Sequence, residues 1–351
     1  MKDIDSLRKE IEKTDAEIVR LMIRRNETAK RIGDLKADLG LPLRNLEVEK
    51  EVVKRYRRMA ENSLLPEDVS EAVCKMLIES SVGLQAVALR KRCAKKITII
   101  GGSGKMGVWM NEYFTGMGAT VNSVGRSGGS MSDAKDSDVV IVSVPISSTL
   151  KYLKEADAVC RDDALIFDVS SIKSPFSEYL KEMAKRRKVC SVHPMFGPSV
   201  PSMFGRNVIV CDCGCAEAVS EASELFDNDG SNIIITSVER HDELMGYVLG
   251  FAHASNITFF TALRESGIPF SEMKRTASTT FKRCMDTFLP VSEEDASLYH
   301  QIQRLNVNAE EVWKNYENAF NEVKEASLSE DPEKFIRVME RGRRFLTDGD
   351  L

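Results

Sequence analysis

From residue 97 the chain runs through a short apolar stretch, Ile97-Thr98-Ile99-Ile100, into Gly101-Gly102-Ser103-Gly104-Lys105-Met106-Gly107 and on to a helix-like segment over 108–114. A β-branched run followed at once by glycines predicts a strand, a tight reversal and a helix whose first N–H groups lack partners. Gly102, Gly104 and Gly107 fit G-x-G-x-x-G. In that pattern one glycine makes the turn, one lets a pyrophosphate approach the backbone and one packs helix on strand. The open helix N-terminus suits the phosphates. Gly102, Ser103, Gly104, Lys105, Met106 and Gly107 are therefore expected to hold a dinucleotide, and everything before residue 97 must form a separate unit.

Further short β-branched runs follow at 119–124, 138–144, 164–169, 189–193, 207–211 and 232–236, several separated by helix-like segments. This rhythm predicts a doubly wound α/β sheet of Rossmann type. An NAD site normally ends its second strand with Asp or Glu on the ribose 2′-hydroxyl, whereas here the chain reads Val124-Gly125-Arg126-Ser127. Arg126 and Ser127 suit a 2′-phosphate, so NADP is expected in preference to NAD, with NAD as the alternative.

The N-terminal segment carries a helical stripe: Leu7, Ile11, Thr14, Ile18, Leu21, Arg25, Thr28, Ile32, Leu35 and Leu39 advance in steps of three and four. Asp3 offers a cap, and Gly40 with Pro42 a stop. A helix of roughly 36 residues would span about 54 Å. The fifty or so residues that follow cannot cover such a stripe, so a second copy of the chain is expected against it. Arg25 interrupts the stripe, and a cation there calls for an anion. Lys36 faces the same way, about 16 Å along the axis, whereas Arg8 lies about 26 Å from Arg25 and near 100° around, too far to reach the same small ligand from one chain.

Two shorter helices are expected over 46–62 and 66–89, the second placing Ser81 and Gln85 one turn apart. Leu7-Arg8-x-x-Ile11, Arg24-Arg25-x-Glu27, Ile32-Gly33-x-x-Lys36, Glu49 and Glu79-Ser80-Ser81-Val82-x-x-Gln85 together resemble the all-helical chorismate mutase domain. The resemblance implies an intertwined dimer that rearranges chorismate to prephenate, with Arg8 supplied by the partner. Arg8, Arg25 and Lys36 would hold the two carboxylates and the ether oxygen, Glu49 the ring hydroxyl, Gln85 the ether oxygen, and Ser81 would make a lesser contact. Asn45 and Val48 depart from the acidic residue and arginine that many members carry there.

Of four histidines, His193 ends an apolar run in Ser191-Val192-His193-Pro194-Met195-Phe196-Gly197-Pro198, at the sheet edge expected to face the cofactor. Asp168-Val169-Ser170-Ser171-Ile172-Lys173 ends the preceding run similarly, so Ser171 is expected to orient His193 and Lys173 to meet an anion. With Val142-Ser143-Val144-Pro145 and Glu239-Arg240-His241-Asp242, these segments resemble prephenate dehydrogenase from about residue 97 to 330. The resemblance implies that His193 takes the proton of the prephenate C4 hydroxyl as hydride leaves C4 and the C1 carboxylate departs as CO2. An imidazole, with an ordinary pKa near 6.5, suits that role. It also implies cofactor contacts at Val144 and Pro145, a substrate contact at His253, and a carboxylate-binding arginine for which Arg283 is the best candidate and Lys173 the reserve. His241 is read as structural.

Past residue 239 the pattern is helical, with amphipathic stretches over 310–326 and 332–346, and the resemblance implies a second dimer contact there. The expected organisation is a helical domain over 1–90, a basic linker over 91–96, a nucleotide-binding domain over 97–238 and a helical C-terminal domain over 239–351. A net charge of −5 argues against nucleic acid, no apolar run is long enough to cross a membrane, and the charged start is unlike a signal peptide. A cytoplasmic homodimer is expected. Cys211-Asp212-Cys213-Gly214-Cys215 lacks metal-ligand spacing, so no metal is expected. The whole reads as a bifunctional chorismate mutase and prephenate dehydrogenase. Oxidation of arogenate, or a helical module that only regulates, remain the alternatives.

Overall fold

The computed structural model describes residues 3–88, 92–125, 128–200, 202–227 and 230–348. The basic linker lies partly outside them, at Lys91. Helix α1 runs Ile4–Leu39, with Asp3 at its N-cap position but making no side-chain cap bond. Gly40, at φ 64, ends it in the left-handed conformation that glycine adopts without strain. Helix α2, Leu46–Ala60, starts at Asn45, whose side chain accepts from the Val48 N–H at 3.2 Å, so the departure at Asn45 serves as a cap. Helix α3, Glu67–Ala88, packs along α1, where Ala29 and Gly33 are the buried residues of α1. Small side chains let the two helices approach. The rest of the stripe, including Leu7, Ile11, Ile18, Leu21 and Leu35, is exposed on the single chain. A stripe of that length is a surface that needs covering.

The sheet comprises β1 (Lys96–Ile100), β2 (Thr120–Val124), β3 (Val139–Val142), β4 (Leu165–Asp168), β5 (Val189–Pro194), β6 (Asn207–Asp212) and β7 (Asn232–Ser237) in the order β2-β1-β3-β4-β5-β6-β7. Helices α4 (Lys105–Gly116), α5 (Ile146–Val159), α6 (Ser177–Ala184) and α7 (Ala216–Phe226) cover it. Side chains alternate between faces, as the pleat requires. Ile97, Ile99, Ile141 and Phe167 pack with α4 and α7, while Ile100, Val140, Val142 and Ile166 pack with α5 and α6. All pairings are parallel except β5 with β6, where His193 lies opposite Ile209. A parallel return needs a crossover, normally helical, and the segment between β5 and β6 forms none, so the strand comes back antiparallel.

The C-terminal domain holds α8 (Val238–Met245), a π turn over Gly246–Phe251, α9 (Ala252–Glu265), α10 (Phe270–Arg275), α11 (Thr279–Glu293), α12 (Ala296–Leu305), α13 (Ala309–Leu328) and α14 (Pro332–Asp348). Ile302 of α12 joins the α5–α6 side of the sheet core. Trp313, Phe320, Phe335 and Leu346 are exposed on α13 and α14. Among the described residues no helix is long and apolar enough to cross a membrane, and no three His, Cys, Asp or Glu side chains gather as a metal site would require.

Candidate functional site

The glycine turn between β1 and α4 is as tight as its sequence demands. Gly101 has φ 89, and a Cβ there would sit 2.0 Å from the Ser143 carbonyl oxygen. A Cβ on Gly107 would lie 2.3 Å from the Gly101 carbonyl oxygen, and one on Gly102 would lie 2.4 Å from Ser123 Oγ. Gly104 caps α4 in extended conformation, leaving Ser103 and Lys105 exposed at the helix start above buried Gly107. Half-buried Val144, at the end of β3, lies beside Gly101, and exposed Pro145 caps α5. This turn fits a dinucleotide pyrophosphate held by backbone N–H groups. Arg126 and Ser127 lie outside the described residues.

His193 ends β5, a strand buried along its whole length. Its Nδ1 is 2.9 Å from His241 Nε2, and His241 Nδ1 is 2.7 Å from Asp242 Oδ1. Asp242 also accepts from the Lys173 N–H at 3.0 Å, from the Ser174 N–H at 2.6 Å and from the Ser174 hydroxyl. Burial disfavours its charge, but bonds from His241 and Ser174 bring the carboxyl below its ordinary value. An ionised carboxylate accepts only, so His241 donates from Nδ1 and a neutral His241 accepts at Nε2. His193 then donates from Nδ1 and keeps the lone pair of its own Nε2. Burial first, then His241 and Lys173, hold the His193 imidazole well below 6.5, so it is neutral at pH 7. His193 keeps 5% of its surface accessible while His241 keeps none, so only the first of the two can meet a substrate.

His253, on α9, stacks on Tyr299 with ring centroids 4.1 Å apart, and its buried Nδ1 has no partner among the described residues. Burial lowers its pKa. In the N-terminal domain, Arg25 turns towards α3, donating to the Leu77 carbonyl at 2.5 Å and to Ser81 Oγ. Lys36 Nζ donates to the Leu43 carbonyl at 2.6 Å. Glu49 is gripped by Arg44 through two parallel bonds of 2.8 and 2.5 Å. Gln85 is 8% exposed, and its Oε1 finds no partner among the described residues. A buried amide oxygen left open in this way is a place for a ligand.

Residues 7–86 match the chorismate mutase type II family, 85–235 the prephenate dehydrogenase nucleotide-binding domain and 237–341 the prephenate dehydrogenase dimerization domain. A T-protein from Enterobacter agglomerans is 24% identical over 99% of this chain and 94% of its own length. The chain belongs to the bifunctional chorismate mutase/prephenate dehydrogenase family. A probable arogenate/prephenate dehydrogenase from Methanocaldococcus jannaschii is 28% identical over 71% of this chain, which spans about 60% of that relative's length. The fold is also that of the prephenate dehydrogenase from A. aeolicus solved with hydroxyphenyl propionate and NAD+, with a TM-score of 0.61 at 18% identity over 74% of this chain and 99% of that one. The protein is an enzyme with both activities, serving tyrosine biosynthesis through an NAD-binding Rossmann domain.

Two sequence expectations for the dehydrogenase site need correction. Ser171 is half-buried and makes no hydrogen bond to His193 among the described residues; His241 makes the orienting contact instead. Lys173 does not face outward to meet a bound anion. Its side chain is fully buried, and Nζ donates to Asp168 at 3.0 Å and to the carbonyls of Ser170 and Val192 at 2.6 and 2.8 Å. It ties the ends of β4 and β5 together behind His193. Arg283 is exposed on α11, with no hydrogen bond or ion pair among the described residues. Arg8 is exposed on α1 and paired with Asp5 at 3.1 Å.

His241, read from the sequence as structural, joins Asp242 to His193 through hydrogen bonds. Its only local signal is an imidazole next in sequence to a carboxylate, which becomes meaningful once both are buried.

Three outcomes follow from this geometry. Gly107→Ala should raise the Kd for the dinucleotide at least about tenfold in a fluorescence titration, because its Cβ strikes backbone rather than a movable side chain. The base form of His193 is lost only when pH falls through its depressed pKa, so the acid limb of kcat/KM for prephenate should lie below pH 6.5. Asp242→Asn should lower that kcat/KM by roughly 10² or more, since the amide no longer enforces the His241 tautomer.

Proposed function

We propose that His193 is the general base of the dehydrogenase and that Arg25, Lys36, Glu49, Ser81 and Gln85, with the partner subunit's Arg8, line the mutase site. The observation that carries the first assignment is the hydrogen-bond chain from Asp242 through His241, which leaves His193 Nε2 as an acceptor. The nicotinamide ring, when bound on the Rossmann domain, accepts the hydride. His193 Nε2 takes the C4 hydroxyl proton of prephenate as that hydride leaves. The C1–carboxylate bond then breaks, its electron pair moves through the ring to the C4 oxygen, and CO2 departs. The oxygen takes a proton back to give 4-hydroxyphenylpyruvate. His253, with a buried nitrogen open, is suited to a polar group of the substrate, and Arg283 is the candidate for its carboxylate.

The mutase reaction moves no proton to or from the protein, so fixed charges and shape suffice. Cations from Arg25 and Lys36 offset the substrate carboxylates and the negative charge that grows on the ether oxygen in the transition state. Glu49 would receive the ring hydroxyl and Gln85 would face the ether oxygen.

Three units, over 1–90, 97–238 and 239–351, joined by the linker 91–96, divide the work. The exposed apolar stripe of α1 and the apolar faces of α13 and α14 support a homodimer. Eight unpaired cysteines suit the reducing cytoplasm. NADP is the proposed dinucleotide, because β2 leads into Gly125-Arg126-Ser127 with no carboxylate for a ribose 2′-hydroxyl.

The two sites separate under mutation. His193→Asn should lower prephenate oxidation about 10³-fold and leave chorismate rearrangement intact, and Arg25→Ala should do the reverse. Loss of both activities in either variant would contradict the assignment. Arg126→Ala should lower kcat/KM for NADP by about tenfold or more with little change for NAD. Wild-type enzyme that uses NAD as well as NADP would defeat the nucleotide proposal.

A further inference from the structure

Two neighbouring residues in the segment between β5 and β6 point into different domains. Met203 is fully buried in the sheet core on the α4–α7 side. Phe204 packs instead on the N-terminal domain, against Cys74, Ile78 and Val82 of α3 and beside Leu43. The Arg44 guanidinium lies over the Phe204 ring, 5.5 Å from its centroid. Gly230, at φ 68, closes the contact from the Rossmann side: a Cβ there would fall 2.9 Å from both Leu43 Cδ2 and the Phe204 ring.

Leu43 and Arg44 are the residues on which two polar groups of the mutase site depend. The Leu43 carbonyl accepts from Lys36 at 2.6 Å, and Arg44 grips both oxygens of Glu49. Arg44 also reaches Glu79 at 3.1 Å, so its fork has two carboxylates to choose between. An arginine fork is best held by a flat face behind it and a bidentate acceptor in front. The Phe204 ring provides that face.

We propose that Phe204, from the nucleotide-binding domain, is a positioning residue for the mutase reaction. Its ring stacks Arg44 and buttresses Leu43, and through them it holds Glu49 and Lys36 where chorismate meets them. The mutase site is completed by a neighbouring domain of its own chain. The inference rests on the reading that Lys36 and Glu49 belong to that site.

The test is steady-state kinetics of Phe204→Ala, Phe204→Leu and Phe204→Tyr in the full-length enzyme, with both activities and thermal unfolding measured for each. Phe204→Ala should lower mutase kcat/KM at least about tenfold. Phe204→Leu, which restores apolar volume but no ring face, should remain down by about fivefold, while Phe204→Tyr should return to within about twofold of wild type. Oxidation of supplied prephenate should hold within about twofold in all three, since Met203 anchors the segment independently. Wild-type mutase kinetics in both the Ala and Leu variants would overturn the proposal. So would a parallel loss of both activities with lowered unfolding temperature, which would make the ring simple packing. Mutase turnover that survives Lys36→Ala would overturn the site reading itself, independently of Phe204.

Discussion

Asp242 is a carboxylate at 2% exposure, and its charge survives there because donors converge on it from the Lys173 and Ser174 backbone, the Ser174 hydroxyl and His241. Without them burial would neutralise it. With them it locks three pieces of chain together. The turn after β4 supplies the N–H groups, α8 supplies the carboxylate, and α12 is drawn in where Asn306 donates to the Asp242 carbonyl at 2.8 Å. The orientation of His241, and through it the free lone pair of His193, depends on this one charge.

Burial acts in opposite ways on the two key side chains. In the Rossmann domain, burial holds the His193 imidazole well below its ordinary pKa. In the helical domain, Arg25 sits in an apolar stripe and donates to the Leu77 carbonyl and Ser81. The proposed dehydrogenase site calls for a neutral group that takes a proton. The other needs fixed positive charge that exchanges none. Placing them in separate domains lets each set its own environment, and the Phe204 contact joins them without mixing the two.

Much of the architecture was legible because local chemistry dictated it. The helix stop at Gly40 follows from a residue free to take positive φ, whereas Asn45, read in the sequence only as a departure from the family pattern, caps the start of α2 by accepting an N–H. The seven strands coincide with β-branched runs, most of all in β1 and β3 to β6, whose residues are buried by helices on both faces and need apolar side chains, while the edge strands β2 and β7 stay largely exposed. Direction was less legible. That β6 returns antiparallel depends on a connection without a helix, which the strand sequences do not carry. Lys173 shows the same limit for a side chain: its sequence neighbours mark the strand end facing the cofactor, yet whether it turns outward to an anion or inward to Asp168 depends on a carbonyl from β5.

The sequence by itself determined the three kinds of unit and the glycine turn, because each of these is a local matter of period and sterics. Only the tertiary structure decided which groups face one another. His193 and His241 stand 48 residues apart, and Arg44 meets Phe204 across a domain boundary. Such pairings arise from the packing of whole elements, and no short window of sequence contains both partners.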